Sequence, residues 1–259
     1  ESPLWMRHCA LSPDGTTIAF TYKGDIYTVP STGGRATQIT TNPAFDTEPV
    51  WSPDSKQIAF ASDRMGSLDV FVVSSEGGAP QRLTTHSGSE KPVAYKDNKH
   101  ILFTANIAPS AEDAGFPSGQ FQQVYEVAVT GGRPAMFSSM PMECISINKE
   151  GVMLYQDKKG YEDYWRKHQV SPIARDIWTY TPGKKPVYQK QTTFGGEDRE
   201  PVWSPDGKSF YYLSEEKGSF NIFQRTPGTT TSQQITFHTK HPVRFLSIST
   251  TGTLCYGYD

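Results

Sequence analysis

Residues 49–84 read P V W S P D S K Q I A F A S D R M G S L D V F V V S S E G G A P Q R L T. Four short apolar runs, Val50 to Ser52, Gln57 to Ala61, Asp69 to Val73 and Gln81 to Thr84, are separated by turn residues. Each run is too short for a helix, so the stretch predicts a four-stranded antiparallel meander. In the first turn, Ser52 Pro53 Asp54 Ser55, proline sets φ and Asp54 is placed to bond the backbone two residues on. Asp63 to Gly66 reads as a looser polar turn, and Glu76 Gly77 Gly78 supplies positive φ for a tight reversal.

The unit recurs. Upstream, Ser12 Pro13 Asp14 Gly15 is followed by Ile18 Ala19 Phe20, Asp25 Ile26 Tyr27, Gly33 Gly34 and Gln38 Ile39 Thr40. Downstream, Val202 to Gly207 is followed by Phe210 Tyr211 Tyr212, Asn221 Ile222 Phe223 and Gln234 Ile235 Thr236. Two weaker copies start at Tyr95 and Asn148, and another opens at Ser249 with Leu254 to Tyr258 as its second strand. Four strands repeated about every 40 to 45 residues are the signature of a β-propeller. The expected fold is therefore all-β: one domain over 1–259, six-bladed, with five full blades and the inner half of a sixth. The units fall at 3–40, 47–84, 90–138, 142–193, 199–236 and, incomplete, 242–259. Trp51 and Trp203 are expected at equivalent innermost-strand positions, with Phe20, Phe60, Phe103, Tyr155 and Tyr211 packed between blades. Two further strands are due beyond Asp259, so the sixth blade is expected to be completed elsewhere.

Composition narrows the function classes. Hydrophobic content is 36%, with 12% aromatic, and net charge is −2, which argues against a nucleic-acid surface or an anionic membrane as the partner. No apolar run approaches the roughly 20 residues of a spanning helix. Cys9, Cys144 and Cys255 have no metal-type spacing and read as buried thiols. The chain opens on Glu1 with no leader pattern, so any signal peptide has been removed or was not part of this sequence.

The weak units carry insertions at one join, between strands two and three: 107–121 in the third and 158–175 in the fourth. In a propeller that join shares a face with the loops leading into each blade, opposite the Ser-Pro-Asp-Gly turns. The fourth-unit insertion holds Tyr161, Tyr164, Trp165, Arg166 and His168. Aromatic and cationic side chains of this kind are enriched at binding hot spots. Asp198, Arg199, His241 and Arg244 from the leading loops complete the candidate binding face. Against this, Asp46 and Asp198 read more simply as Asx turns before Pro49 and Pro201, and the insertion equally as cover for a blade edge. Asp14, Asp54 and Asp206, needed in several blades, read as structural.

No G x S x G elbow, H E x x H pair or phosphate-cradling loop occurs. Of six histidines only His238 and His241 lie close together, without a third ligand nearby, so neither a metal nor another cofactor is expected. The units W S P D S K Q I A F A S D R, G S L D V F V V and G G A P Q R L T resemble the TolB-type propeller repeat over nearly the whole chain. More narrowly, the opening P L W M R H C A L S P D G T T I A F T Y K G D I Y, the loop K K G Y E D Y W R K H and the ending H P V R F L S I S T T G T L C Y G Y D resemble the amino-terminal propeller of bacterial tricorn-protease homologues.

The resemblance implies a non-catalytic propeller of a serine peptidase whose catalytic residues lie downstream. Such a domain would gate or guide peptides or bind protein partners, including the remaining domains of its own polypeptide, in a periplasmic or secreted setting. A TolB-like periplasmic protein-binding scaffold is the second reading. A carbohydrate-active propeller, which needs histidines converging on a metal, is the third.

Overall fold

The computed structural model describes residues 6–107, 122–160 and 170–258. They form two compact units, one of residues up to 141 with 249–255, the other of 142–248 with 256–258. The first unit holds three four-stranded antiparallel sheets in chain order. Sheet one is β1 (Arg7–Leu11), β2 (Thr17–Tyr22), β3 (Asp25–Pro30) and β4 (Thr37–Gln38). Sheet two is β5 (Asp46–Trp51), β6 (Gln57–Ser62), β7 (Asp69–Ser74) and β8 (Gln81–Arg82). Sheet three is β9 (Lys91–Asp97), β10 (His100–Ala105), β11 (Gln123–Ala128) and β12 (Ala135–Ser138).

The second unit holds sheet four, β13 (Met142–Ile147), β14 (Met153–Asp157), β15 (Ile177–Thr181) and β16 (Val187–Lys190). Sheet five is β17 (Asp198–Trp203), β18 (Phe210–Ser214), β19 (Asn221–Arg225) and β20 (Gln233–Gln234). Strands β21 (Val243–Ile248) and β22 (Leu254–Tyr258) pair as a two-stranded sheet, so the described residues show five full blades and a pair of strands rather than a sixth blade. No helix occurs among the described residues.

The central strands are buried on both faces, which is why they read as unbroken apolar runs instead of alternating ones. Their ladders bring one aromatic pair to the same place in four sheets. Phe20 stacks on Tyr27, Phe60 on Phe71 and Phe103 on Tyr125, with ring centroids 5.7 to 5.9 Å apart, and Tyr212 meets Phe223 at 6.0 Å. The expectation for Tyr211 is corrected here. Trp203 pairs with Phe210 as Trp51 pairs with Ile58, so the counterpart of Phe60 is Tyr212, which is buried, while Tyr211 lies on the other face and is half-buried. Trp51 and Trp203 are equivalent and buried, each donating its indole N–H to a carbonyl of the preceding repeat unit, Ala10 in β1 at 2.9 Å and Val152 just before β14 at 3.1 Å.

The first strand begins earlier than its apolar run. β5 starts at Asp46, four residues before Val50, because a bulge lies between Thr47 and Val50 and the bulged residue Glu48 takes a left-handed φ of 56°. His8, Cys144, Glu200 and Phe245 repeat this conformation in β1, β13, β17 and β21, with φ between 50° and 58°. In sheet three the position is held by Pro92, whose ring keeps φ negative. The cysteine expectation also changes. Cys144 is exposed and Cys9 and Cys255 are half-buried, because they lie on strands at sheet edges rather than in the central pair.

The Ser-Pro-Asp turns behave as the residues require. Asp14, Asp54 and Asp206 each accept a hydrogen bond from the amide two residues on, at 2.9, 3.2 and 3.0 Å. Each also accepts from a serine hydroxyl at 2.6 to 2.7 Å. That hydrogen bond leads in holding the three carboxyls below the ordinary aspartate range. Neighbouring turns touch within the first unit. The Asp14 amide donates to Ser55 Oγ at 3.2 Å, the Asp54 amide to Asn98 Oδ1 at 3.1 Å, and the Thr250 amide to the Pro13 carbonyl at 2.7 Å.

The outermost strands have only two residues in β4, β8 and β20, too few to hold by ladder bonds. A threonine just past each strand supplies the missing link. Thr40, Thr84 and Thr236 accept the amide protons of Ile26, Val70 and Ile222, and Thr192 that of Ile177, all at 2.9 Å. Thr84→Val keeps the shape but strands the Val70 N–H without its acceptor, which costs about 1 to 3 kcal/mol. Urea denaturation should show that loss for Thr84→Val and almost none for Thr37→Val on exposed β4. Equal effects would remove the hydroxyl from the account.

Candidate functional site

Strand direction places the start of each first strand, the end of the second and the start of the third at one end of a sheet. In sheet five Asp198 pairs with Ser214 and Ser214 with Asn221, whereas Trp203 pairs with Phe210 at the opposite end. The insertions expected between second and third strands do lie there, between Ala105 and Gln123 and between Asp157 and Ile177. Tyr161, Tyr164, Trp165, Arg166 and His168 lie outside the described residues. What the structure describes is the floor from which that loop leaves and to which it returns.

The floor is a chain of locked charges. Arg175 donates from Nε to Glu143 Oε2 at 3.1 Å and from Nη1 to Glu197 Oε1 at 3.4 Å. Arg199 Nε donates to Glu197 Oε2 at 2.9 Å, and the Glu197 amide donates to Glu215 Oε1 at 3.2 Å. Glu143 also receives Gln156 Nε2 at 3.0 Å and pairs with Lys158 at 3.1 Å. Burial works against the Glu143 charge, but Arg175 and Lys158 outweigh it and its carboxyl stays below the ordinary glutamate range. Arg175, Glu197 and Arg199 are all buried. Charges so placed are retained only because each is paired.

Two of the expected contact residues are therefore internal. Asp198 and Arg199 are 1% and 4% exposed, so neither offers a surface to a partner in this structure. Arg199 also lies over the Phe220 ring at 4.9 Å. The Asx-turn reading of Asp46 and Asp198 is corrected as well. Asp46 holds Arg64 Nη2 at 3.0 Å from both carboxyl oxygens, while Asp198 faces the Ser214 and Thr192 hydroxyls and no cation among the described residues. Burial pushes the Asp198 carboxyl up to about 7, against the opposing influence of the Ser214 and Thr192 hydroxyls.

His241 is exposed and Arg244 is half-buried on β21. The His241 ring meets Tyr258 edge-on at 5.8 Å, and His238 lies against the same Tyr258 at 4.1 Å while sharing a hydrogen bond with Tyr256 at 3.2 Å. Reading by sequence missed Glu143, Gln156 and Arg175. No spacing signals them, since Arg175 and Glu143 are 32 positions apart and meet only because consecutive strands fold back. At the turn end of the first unit lies a polar cavity of about 320 Å³ lined by Asp14, Arg35, Trp51 and Glu76 among others. The arrangement at the loop end fixes where the 158–175 segment is anchored, since Lys158 and Arg175 are both held by Glu143.

Removing one member of such a network leaves a buried charge unanswered, so Arg175→Met should cost about 3 kcal/mol in denaturant unfolding. A double-mutant cycle with Glu197→Gln should give a coupling above about 1 kcal/mol. Additive single effects would show the network to be geometric only.

Residues 3–258 match the family described as the tricorn protease N-terminal beta propeller domain. Tricorn protease homolog 1 of Streptomyces coelicolor is 39% identical over 213 residues, which are 82% of this chain and 19% of that protein. The crystal structure of the tricorn protease superposes with a TM-score of 0.81 at 16% identity, over 99% of this chain and 24% of that one. TolB from Acinetobacter baumannii superposes with a TM-score of 0.61 at 17% identity, over 88% of this chain and 56% of that one. At such identities the structural likenesses speak for the fold. The chain thus spans less than a quarter of the first curated relative it matches, and by the family match over 3–258 it belongs to the tricorn protease N-terminal β-propeller family.

Proposed function

We propose that this chain is the non-catalytic propeller domain of a larger tricorn-like serine peptidase, where it guides peptides or binds protein partners while the catalytic residues lie elsewhere in the polypeptide. The observation that carries this reading is the family match across 3–258, in a chain that spans only 19% of a tricorn protease homologue. In the same reading the repeats make one six-bladed domain, with β21 and β22 as the inner half of the last blade. The left-handed Phe245, placed as in the other first strands, and the Thr250 bond to Pro13, placed as in the other turn contacts, support it. A periplasmic or secreted setting belongs to the proposal through the family resemblance.

The contacting surface is proposed to be the 158–175 segment with His241 and Arg244, beside the Arg175–Glu197–Arg199 floor whose member Arg175 ends that segment. Asp198 and Arg199 then act by holding that floor, which their burial favours over direct contact. The TolB-like scaffold reading is favoured by one observation, the likeness to TolB, and it differs in needing no attached peptidase.

Replacing Trp165 and Arg166 with alanine in the full-length protein should weaken cleavage of long peptides, which must be guided, and spare a short chromogenic substrate. The melting temperature of the 259-residue chain should stay nearly constant. A large drop in melting temperature with peptide cleavage intact would assign the segment to structure. A full-length protein without peptidase activity would favour the scaffold.

A further inference from the structure

The second and fifth sheets carry the same constellation with one member exchanged. Asp46 opens β5 and pairs with Ser62, as Asp198 opens β17 and pairs with Ser214. The aromatic pairs Phe60 with Phe71 and Tyr212 with Phe223 correspond. So do the turns that follow, closed by Gly66 N–H to Asp63 O at 2.8 Å and Gly218 N–H to Glu215 O at 2.9 Å. In sheet two, Arg64 fills the next position, bonding Asp46, Ser62 Oγ at 2.8 Å and the Phe71 face at 4.4 Å. In sheet five that position is Glu216. A carboxylate stands where the repeat places a guanidinium.

Among the described residues nothing else supplies the cation. Lys159 and Lys190 approach from the fourth sheet, but both engage Asp176 Oδ2, Lys190 at 2.8 Å, and Lys159 also lies 3.5 Å from Asp157. Arg175 and Arg199 are engaged by Glu197. The groups acting on Asp198 are the carboxylates of Asp176 and Glu216 and the hydroxyls of Thr192 and Ser214, with Tyr212 nearby on β18. Among Asp157, Asp176 and Asp198, three carboxyls share two ammonium groups, so one is in excess. Asp198 is the one that no cation reaches among the described residues, its buried carboxyl facing the Ser214 and Thr192 hydroxyls.

We propose that the junction between sheets four and five is held by a proton, with Asp198 as a neutral acid that fits this site, and that ionising Asp198 loosens the junction. Burial raises the folded-state value to about 7 from the ordinary aspartate value of 3.8. The folded state therefore binds more protons than the unfolded state between those values. Stability falls as pH rises through that window and levels off above it.

The test follows unfolding of the chain in urea from pH 4.5 to 8.5, for the wild type, Asp198→Asn and Glu216→Arg. Asp198→Asn keeps the neutral shape, so the wild-type folding constant should fall relative to it by up to tenfold per pH unit below pH 7 and hold a constant ratio above. Glu216→Arg rebuilds the sheet-two arrangement and should abolish most of that fall. Carboxyl ¹³C titration should show an aspartate, absent from Asp198→Asn, titrating near neutrality in the wild type and well below it in Glu216→Arg. Wild type and Asp198→Asn tracking each other across the range would overturn the proposal, as would a full fall retained by Glu216→Arg. If Asp198→Asn does not fold, Glu216→Arg and its titration decide alone.

Discussion

In four of the five sheets a single threonine hydroxyl ties the outermost strand to the third. Strands β4, β8 and β20 have two residues each, and a ladder so short does not offset the entropy of ordering its chain. The hydroxyls of Thr40, Thr84, Thr192 and Thr236 reach the third strand's first buried amide, where an unpaired N–H would be expensive. Each threonine is followed by the loop leading to the next sheet, so the same bond also fixes where that loop departs. Asp25 and Asn221 accept from Thr40 and Thr236 in turn, at 3.2 and 3.0 Å, which orients the hydroxyl lone pairs toward the amide.

The junctions built on these loops share an electrostatic difficulty. Three of the four collect an acid at the start of the third strand and another at the start of the next first strand: Asp25 with Asp46, Asp69 with Glu90, Asp176 with Asp198. Two acids near each other at such a junction need a cation, and the cation comes from a different place each time. Arg64 follows β6, Arg82 ends β8 and reaches Asp69 at 2.9 Å, and Lys159 and Lys190 come from the fourth sheet. At these three junctions the acids keep their places and the cations do not. Burial raises Asp25 and Glu90 above their ordinary ranges, so the cations offset the cost only in part. At the fourth junction both lysines go to Asp176, and the remainder falls on Asp198.

This explains which parts of the molecule could be read from its sequence. Strand order, turn chemistry and the aromatic pairs follow from local rules, so Ser52 Pro53 Asp54 and the Ile58 Ala59 Phe60 run were legible. Phasing failed where period-two bookkeeping slipped by one residue, at Tyr211 in place of Tyr212. The start of β5 was hidden because Asp46 Thr47 Glu48 Pro49 looks like a loop, and only a left-handed bulge lets it remain in the ladder. The site was less legible still. Its face followed from where the insertions fall, but the partners of Arg175 and the burial of Asp198 depend on packing between strands distant in sequence.

The bulges supply the remaining link between backbone and site. A left-handed φ at a residue other than glycine costs about 1 kcal/mol or more, yet it recurs at His8, Glu48, Cys144, Glu200 and Phe245, side chains with nothing chemical in common. What persists is the backbone shape, so the strain serves geometry rather than any one side chain. Its effect is visible where the residue is long and acidic. Glu48 reaches Lys91 at the start of β9, at 2.5 Å, and Glu200 accepts the Leu246 amide in β21 at 2.8 Å. In both cases the bulge aims a first-strand side chain at the next first strand, which an unbulged strand would point along its own pleat. The Glu200 amide is answered in turn by Gln156 Oε1 at 2.9 Å, and Gln156 holds Glu143. The strained residue is thereby tied to the Glu143–Arg175–Glu197 network, and the energy spent on the bulge is returned as a connection between consecutive first strands and the floor of the candidate site.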